Sequence, residues 1–187
     1  MAATLLVAPA AEPLSVADAK AFLRVEHGDD DSVIAALIAA ARSQVEALTR
    51  RALIEQSWRL TLDRWPADGR IRLRMAPLRS VIAARVFDAA GVSSPLNTAS
   101  FAIDAGGGIV APRSALPSPG RAGGIEIDLQ LGYGPAPSDV PELLRHAVRS
   151  LVAHWYENRG LSAIGQSVSL LPGSVGAMIA GYRVVLL

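Results

Sequence analysis

The chain has 187 residues, 51% of them hydrophobic, with 18 Lys+Arg against 17 Asp+Glu and no cysteine. That length permits one domain, or a domain carrying a sizeable insertion, with a core that needs neither disulfides nor metal. The missing cysteines exclude a disulfide scaffold, a thiolate zinc site, a thiol nucleophile and an iron–sulfur cluster, and a net charge of +1 argues against a dedicated nucleic-acid binder.

Met1 to Ala11 is apolar, lacks the basic start of a secretory signal and is interrupted by Pro9, so residues 1–12 are expected to form a flexible arm. Ser15 can cap a first helix by accepting the amide of Asp18; that helix runs from Val16 to about Val25, and Gly28 ends it. Asp29-Asp30-Asp31-Ser32 then brings negative charge and capping oxygens to a longer helix. There Ile34, Leu37, Ile38, Ala41, Val45 and Leu48 form one apolar stripe at helical spacing. Arg42, Glu46 and Arg50 step along the opposite face four residues apart, which suits a solvated or subunit-facing side. The longest apolar stretch, Val33–Ala41, falls far short of the roughly 20 residues that span a bilayer, so no membrane partner is expected.

From Trp58 the period changes to two. Trp58, Leu60 and Leu62 alternate with polar residues, and the turn Pro66-Ala67-Asp68-Gly69 follows. Ile71, Leu73 and Met75 then alternate with Arg70, Arg72 and Arg74, which predicts a hairpin of the two runs. Val81–Phe87 is a further strand closed by the turn at 88–91, and short candidates flank Gly106-Gly107-Gly108. Ile125, Ile127, Leu129 and Leu131 alternate with Glu126, Asp128 and Gln130. Helix returns at Asp139, where Asp139 and Glu142 have capping-box spacing and Pro141 is tolerated in the first turn. Leu144, Ala147, Val148, Leu151, Val152 and Trp155 make a second stripe that Gly160 ends, and Pro172 opens a last short helix to about Ala180. The expected fold class is α+β: a helical domain from residues 13–56 and 138–160, an inserted antiparallel β-rich domain over 57–137, and an extended C-terminal tail over 161–187.

No reaction chemistry assembles. Gly165-Gln166-Ser167-Val168-Ser169 lacks the final glycine and the strand–turn–helix setting of a nucleophile elbow. His146 and His154 stand two helical turns apart without an accompanying ligand motif. Asp29–Asp31 lacks the alternating oxygens of a calcium loop, and Gly106–Gly108 lacks the spacing of a phosphate loop. The expectation is no catalytic residue, no metal, no cofactor and no small-molecule substrate.

Charge and apolar surface say more. Arg70, Arg72 and Arg74 share one face of one strand, with Arg79 nearby, and a row of like charges is self-repulsive. It is either a solvated edge guarded against aggregation or the partner of an anion. That anion is the acidic 29–31 turn of another subunit or the phosphates of DNA. Arg145 and Arg149 carry the same alternatives. In the tail, Leu170, Leu171, Val175, Met178, Ile179 and Tyr182 form an apolar set that either packs back on its own domain or seeks a partner.

Several segments, taken in order, resemble the head–tail connector (adaptor) proteins of tailed bacteriophages, prophages and gene transfer agents. They are Pro13-Leu14-Ser15 with Ala19-Lys20-Ala21-Phe22-Leu23-Arg24-Val25, the acidic turn Asp29-Asp30-Asp31, Ala39-Ala40-Ala41-Arg42, Val45-Glu46-Ala47 and Arg51-Ala52-Leu53-Ile54. Trp58-Arg59-Leu60-Thr61-Leu62-Asp63-Arg64-Trp65-Pro66, Pro77-Leu78-Arg79-Ser80-Val81 and Gly132-Tyr133-Gly134 continue the set. His154-Trp155-Tyr156-Glu157-Asn158-Arg159, Leu171-Pro172 and Gly181-Tyr182-Arg183 close it, Gly181 standing where the family usually has proline. The resemblance covers about residues 13–183.

It implies a structural protein that forms a ring, typically of twelve copies, under the portal of a DNA-filled head. Such a ring extends the DNA channel and joins the head to stopper or tail-completion proteins. It implies assembly in the bacterial cytoplasm and residence at the head–tail junction of the particle. The tail residues Leu170, Leu171, Pro172, Val175, Met178, Ile179, Tyr182 and Arg183 are then the expected portal contacts, ordering only when bound. Arg42, Glu46, Arg50, Arg70, Arg72, Arg74, Arg145 and Arg149 are the candidates for subunit interfaces or for the lining passed by double-stranded DNA. A small DNA-binding regulatory protein is the main alternative, and a hydrolase built on Ser167 or Ser174 is a weaker one.

Overall fold

A computed structural model describes residues 1–104, 109–112, 116–158, 162–163, 166–167 and 171–184. They form two units, Met1–Ala10 with Glu55–Tyr133, and Ala11–Ile54 with Gly134–Val185.

The first unit holds strands β1 (Ala2–Val7), β2 (Gln56–Leu62), β3 (Ile71–Arg72), β4 (Leu78–Phe87), β5 (Ser93–Pro95), β6 (Phe101–Asp104), β7 (Ile109–Pro112) and β8 (Ile125–Leu131). Five of them make an antiparallel sheet in the order β1-β2-β8-β4-β5, and β3-β7-β6 make a smaller one. The period of two in β8 fixes the register. Leu60 faces Ile127 and Leu62 faces Ile125 across the β2–β8 ladder, and all four are buried. Ile71, Leu73, Phe101 and Val110 add to the buried set from the β3–β7–β6 side.

Two expectations change here. The arm at 1–12 is not free: β1 pairs with β2 from Ala2↔Thr61 to Val7↔Ser57. Its backbone satisfies an open sheet edge, although every residue of the strand stays exposed. The predicted hairpin of β2 with the arginine strand does not form either. β2 matches the seven-residue β8 along its whole length, whereas β3 has two residues of ladder and pairs with β7.

The second unit contains α1 (Val16–Leu23), α2 (Asp31–Thr49), α3 (Glu142–Glu157), α4 (Gly173–Ile179) and a two-stranded ribbon of β9 (Ser162–Ala163) and β10 (Gln166–Ser167). Ser15 caps α1 by accepting the Asp18 amide at 3.0 Å. The helix stops earlier than Gly28, because Arg24 turns into the left-handed region with φ 58° and sends its N–H to the Lys20 carbonyl. Arg50, with φ 56°, ends α2 in the same way. Asp139 lies in a 3-10 turn where its carboxylate accepts the Ala136 amide at 2.9 Å, and α3 begins after Pro141.

The core is built from Ile34, Ile38, Ala41 and Val45 of α2, Leu144, Ala147, Val148, Leu151 and Val152 of α3, and Val175 and Ile179 of α4. By length and composition α2 is apolar enough to cross a membrane, with 19 residues and a mean hydropathy of 1.2. Its stripe is spent inside this unit instead, and ion pairs occupy its middle. The tail is likewise not extended over its described part: α4 and the 3-10 turn Ala180–Tyr182 pack back, with Val175 and Ile179 wholly buried. A sequence without charge from Leu161 to Tyr182 loses little by folding onto an apolar face.

Candidate functional site

The polar row of α2 is an internal clamp rather than a face. Arg42 donates from Nε to Glu12 and from Nη1 to Glu46, both at 2.8 Å, with its side chain 14% exposed. Glu46 also accepts the Leu53 amide at 2.8 Å and is buried. Burial opposes the charge of Arg42, but hydrogen bonds and the charges of Glu12 and Glu46 raise its pKa above the usual arginine value. The segment before α1, α2 and the segment after it are thereby tied together, so Arg42 and Glu46 are removed from the interface candidates. Arg50 remains exposed as the left-handed cap of α2.

A second ion lattice lies on the polar side of the five-stranded sheet. Arg59 pairs with Asp128 at 2.7 and 3.0 Å, and Arg85 pairs with Glu126 at 2.7 Å and Asp128 at 3.4 Å. Both short pairs are direct cross-strand neighbours, Arg59↔Asp128 and Arg85↔Glu126. Hydrogen bonds from Arg59 hold the Asp128 carboxyl below the usual range against its desolvation, with the charges of Arg59 and Arg85 adding to the effect. Sequence reading passed over this lattice. Its signal was the alternation of Glu126 and Asp128 on β8 against Arg59 of β2 and Arg85 of β4.

Arg70, Arg72 and Arg74 are exposed while Ile71 and Leu73 between them are buried. Asp68 pairs with Arg72 at 2.9 Å and accepts the Arg70 amide at 3.0 Å. The hydrogen bond from that amide outweighs desolvation, and with the hydrogen bond and charge of Arg72 it holds the Asp68 carboxyl below its ordinary value. Arg79 reaches the Tyr133 carbonyl at 2.7 Å and Glu55 at 3.3 Å. Arg145 and Arg149 both approach Glu142, at 3.2 and 3.8 Å, and Arg149 also lies over the Phe22 ring, 5.8 Å from its centroid. Phe22 and Leu143 are exposed on this helical surface, beside the edge-on ring of His146.

In the tail, Val175 and Ile179 are core residues, Leu171, Pro172, Met178 and Tyr182 are half-buried, and Arg183 is exposed. Leu170, Gly106–Gly108, Gly160 and Val168-Ser169 lie outside the described residues. Ser174 is exposed near the start of α4, and among the described residues no group of acidic or histidine side chains is arranged to hold a metal ion.

The segments that carried the resemblance meet one another in space. The Arg51 Nε donates to the Tyr182 carbonyl at 2.6 Å, and the Tyr156 hydroxyl donates to Asp30 at 2.6 Å. Gly132, with φ 121°, donates its amide to the Pro77 carbonyl at 3.0 Å. A model of the family described as "Head completion protein" matches residues 12–185. The chain belongs to that family. Head completion is a structural role, and the resemblance read from the sequence is borne out.

Solved structures agree with the family model over the whole chain. A chain in the neck of an empty gene transfer agent particle, computed with C6 symmetry, is 30% identical with a TM-score of 0.84, covering 100% of this chain and 97% of that one. A chain in the virion of the native particle matches equally well, with 30% identity, a TM-score of 0.84 and the same coverage. A third, in the native neck computed with C12 symmetry, is 31% identical with a TM-score of 0.81, again over 100% and 97% of the two chains. No curated protein matches the chain.

Proposed function

We propose that this head completion protein is the connector of a phage-like particle. Copies form a twelve-membered ring beneath the portal, extend the DNA channel and join the head to stopper or tail proteins. The observation that carries the reading is the full-length match, at a TM-score of 0.84 and 30% identity, to a chain of a gene transfer agent neck. The native neck computed with C12 symmetry supports a ring of twelve. Charge patterning is compatible, since most arginines with short ion pairs are matched within the chain and leave no strongly basic field to hold DNA in place.

The portal contact is assigned to the C-terminal segment, with one division of labour. Val175 and Ile179 anchor α4 to its own unit, which leaves Met178, Tyr182 and Arg183 as the outward residues. Deleting residues 161–187 would therefore remove core as well as contact. The discriminating experiment isolates the tagged chain from its own host under particle-producing conditions and measures native mass and composition. Recovery in a very large complex with portal and tail proteins is expected; recovery as a small portal-free species overturns the reading. Arg183→Glu then tests the segment: it is expected to lower recovery of portal without changing the melting curve.

A further inference from the structure

We propose that the arginine strand of one copy docks on the acidic corner between α1 and α2 of the next copy, and that this contact closes the ring. The inference rests on the ring reading above and names the surfaces that build it. Ile71 and Leu73 are buried, and Arg72 of β3 with Arg70 and Arg74 on either side of that two-residue strand are exposed between and beside them. Among the described residues Arg72 has Asp68 as a partner, whereas Arg70 and Arg74 make no ion pair. The unit that carries them has nine Arg against seven Asp+Glu, a net +2, and its Arg59 and Arg85 are already neutralised by Glu126 and Asp128. The excess charge thus sits on the exposed stretch from Arg64 to Arg74.

The other unit has nine Lys+Arg against ten Asp+Glu, a net −1, and an acidic corner from Glu26 to Asp31. Within that corner Asp30 is held by Tyr156 at 2.6 Å and Asp31 by Lys20 at 2.7 Å. These bonds fix the turn while Glu26 stays exposed and Asp29 stands out with its side chain 95% exposed, 3.7 Å from His27. Opposite charges on two different surfaces of one chain make a heterologous, head-to-tail contact, the kind that closes into a cyclic ring. Two copies meeting through the same surface would set like charges against each other. Asp68, interleaved with the arginines, suits a carboxylate-bearing protein surface that needs register more than it suits a run of phosphates.

The test is a charge exchange in the full chain, read as the number of copies retained on portal-containing heads purified from the producing host. Wild type is expected on the heads. R70E/R74E and E26R/D29R are each expected to reduce retained copies by about tenfold or more, since like charges then face each other at every contact. The quadruple variant, with both charges exchanged, is expected to recover wild-type occupancy. All four positions are exposed, so melting curves should match wild type; if R70E/R74E melts early R70Q/R74Q replaces it, and if E26R/D29R melts early E26Q/D29N replaces it. Full occupancy by R70E/R74E, or a quadruple variant as defective as its parents, overturns the contact. R70E/R74E particles with a full neck but poor DNA retention would assign the strand to DNA instead. Absence of the wild-type chain from heads would overturn the connector reading itself, and this contact with it.

Discussion

Glu46→Ala removes a carboxylate that is 7% exposed and accepts hydrogen bonds from the Leu53 amide and from Arg42, each at 2.8 Å. The Leu53 amide would be left buried without its acceptor, a loss of about 1–3 kcal/mol. Arg42 would keep Glu12 at 2.8 Å, so its share stays near 1 kcal/mol rather than the roughly 3–5 kcal/mol that follows when a buried ion loses its only partner. The two parts share a network and do not simply add, which puts the total at about 3 kcal/mol. Glu46→Gln keeps an oxygen for the Leu53 amide and loses only the charge, for about 1 kcal/mol.

The assay is urea unfolding followed by far-UV circular dichroism, which reports the helices, and by Trp155 on α3. With a slope of about 1–3 kcal/mol per molar, Glu46→Ala should move the midpoint of the helical transition down by about 1–3 M, and Glu46→Gln by less than half of that. The strand unit should keep its own midpoint, because every group involved lies in the helical unit. Equal midpoints for the two variants would refute the reasoning, since they differ in whether the Leu53 amide keeps an acceptor.

Other substitutions probe the remaining contacts. Asp128 has its folded-state pKa lowered, so it contributes stability above its unfolded pKa that is lost as pH falls through the folded value. Asp128→Asn should therefore flatten the acid side of the stability profile below about pH 4, measured as Tm against pH. Ile179→Ala opens a cavity in a fully buried position and should cost about 2–4 kcal/mol, with faster proteolysis around α4 as the local readout. Gly134→Ala should lower Tm by an amount matching about 1–3 kcal/mol, because a Cβ there collides with the Asp139 side chain.

Periodicity made the stripes of α2 and α3 and the alternation of β8 legible, since each runs long enough to exclude the other period. It failed where an element has no period of its own. β1 is apolar at nearly every position and becomes a strand only because β2 offers an edge. The arginine strand has the right alternation yet pairs with β7, a choice decided by which partner matches the longer β2. Arg24 and Arg50 ended helices at positive φ, where sequence rules look for glycine. The clamp on Glu46 was hidden for a related reason. Arg42 and Glu46 at i, i+4 spacing look like any solvated helix pair, and their burial comes from Glu12 and Leu53, seven or more residues away from Glu46 along the chain.

That outcome bears on which residues choose a partner. The segments that made the family recognisable are largely spent on one another: Arg51 on Tyr182, Tyr156 on Asp30, Lys20 on Asp31, Arg42 on Glu46, Gly132 on Pro77. Side chains committed at 2.6–2.8 Å inside a unit cannot also take a neighbour without a loss that the new contact must first offset. The motifs therefore report a fold and its mode of closure. On the contact proposed above, selection of a neighbour falls to exposed charge outside these bonds, and among the described residues Arg70 and Arg74 on one unit and Glu26 and Asp29 on the other are of that kind. Of these four, only Asp29 lies in a recognisable segment, the acidic turn, whose other two carboxylates are taken by Tyr156 and Lys20. Charge exchange at these positions should thus alter which copies assemble together while leaving each unit folded.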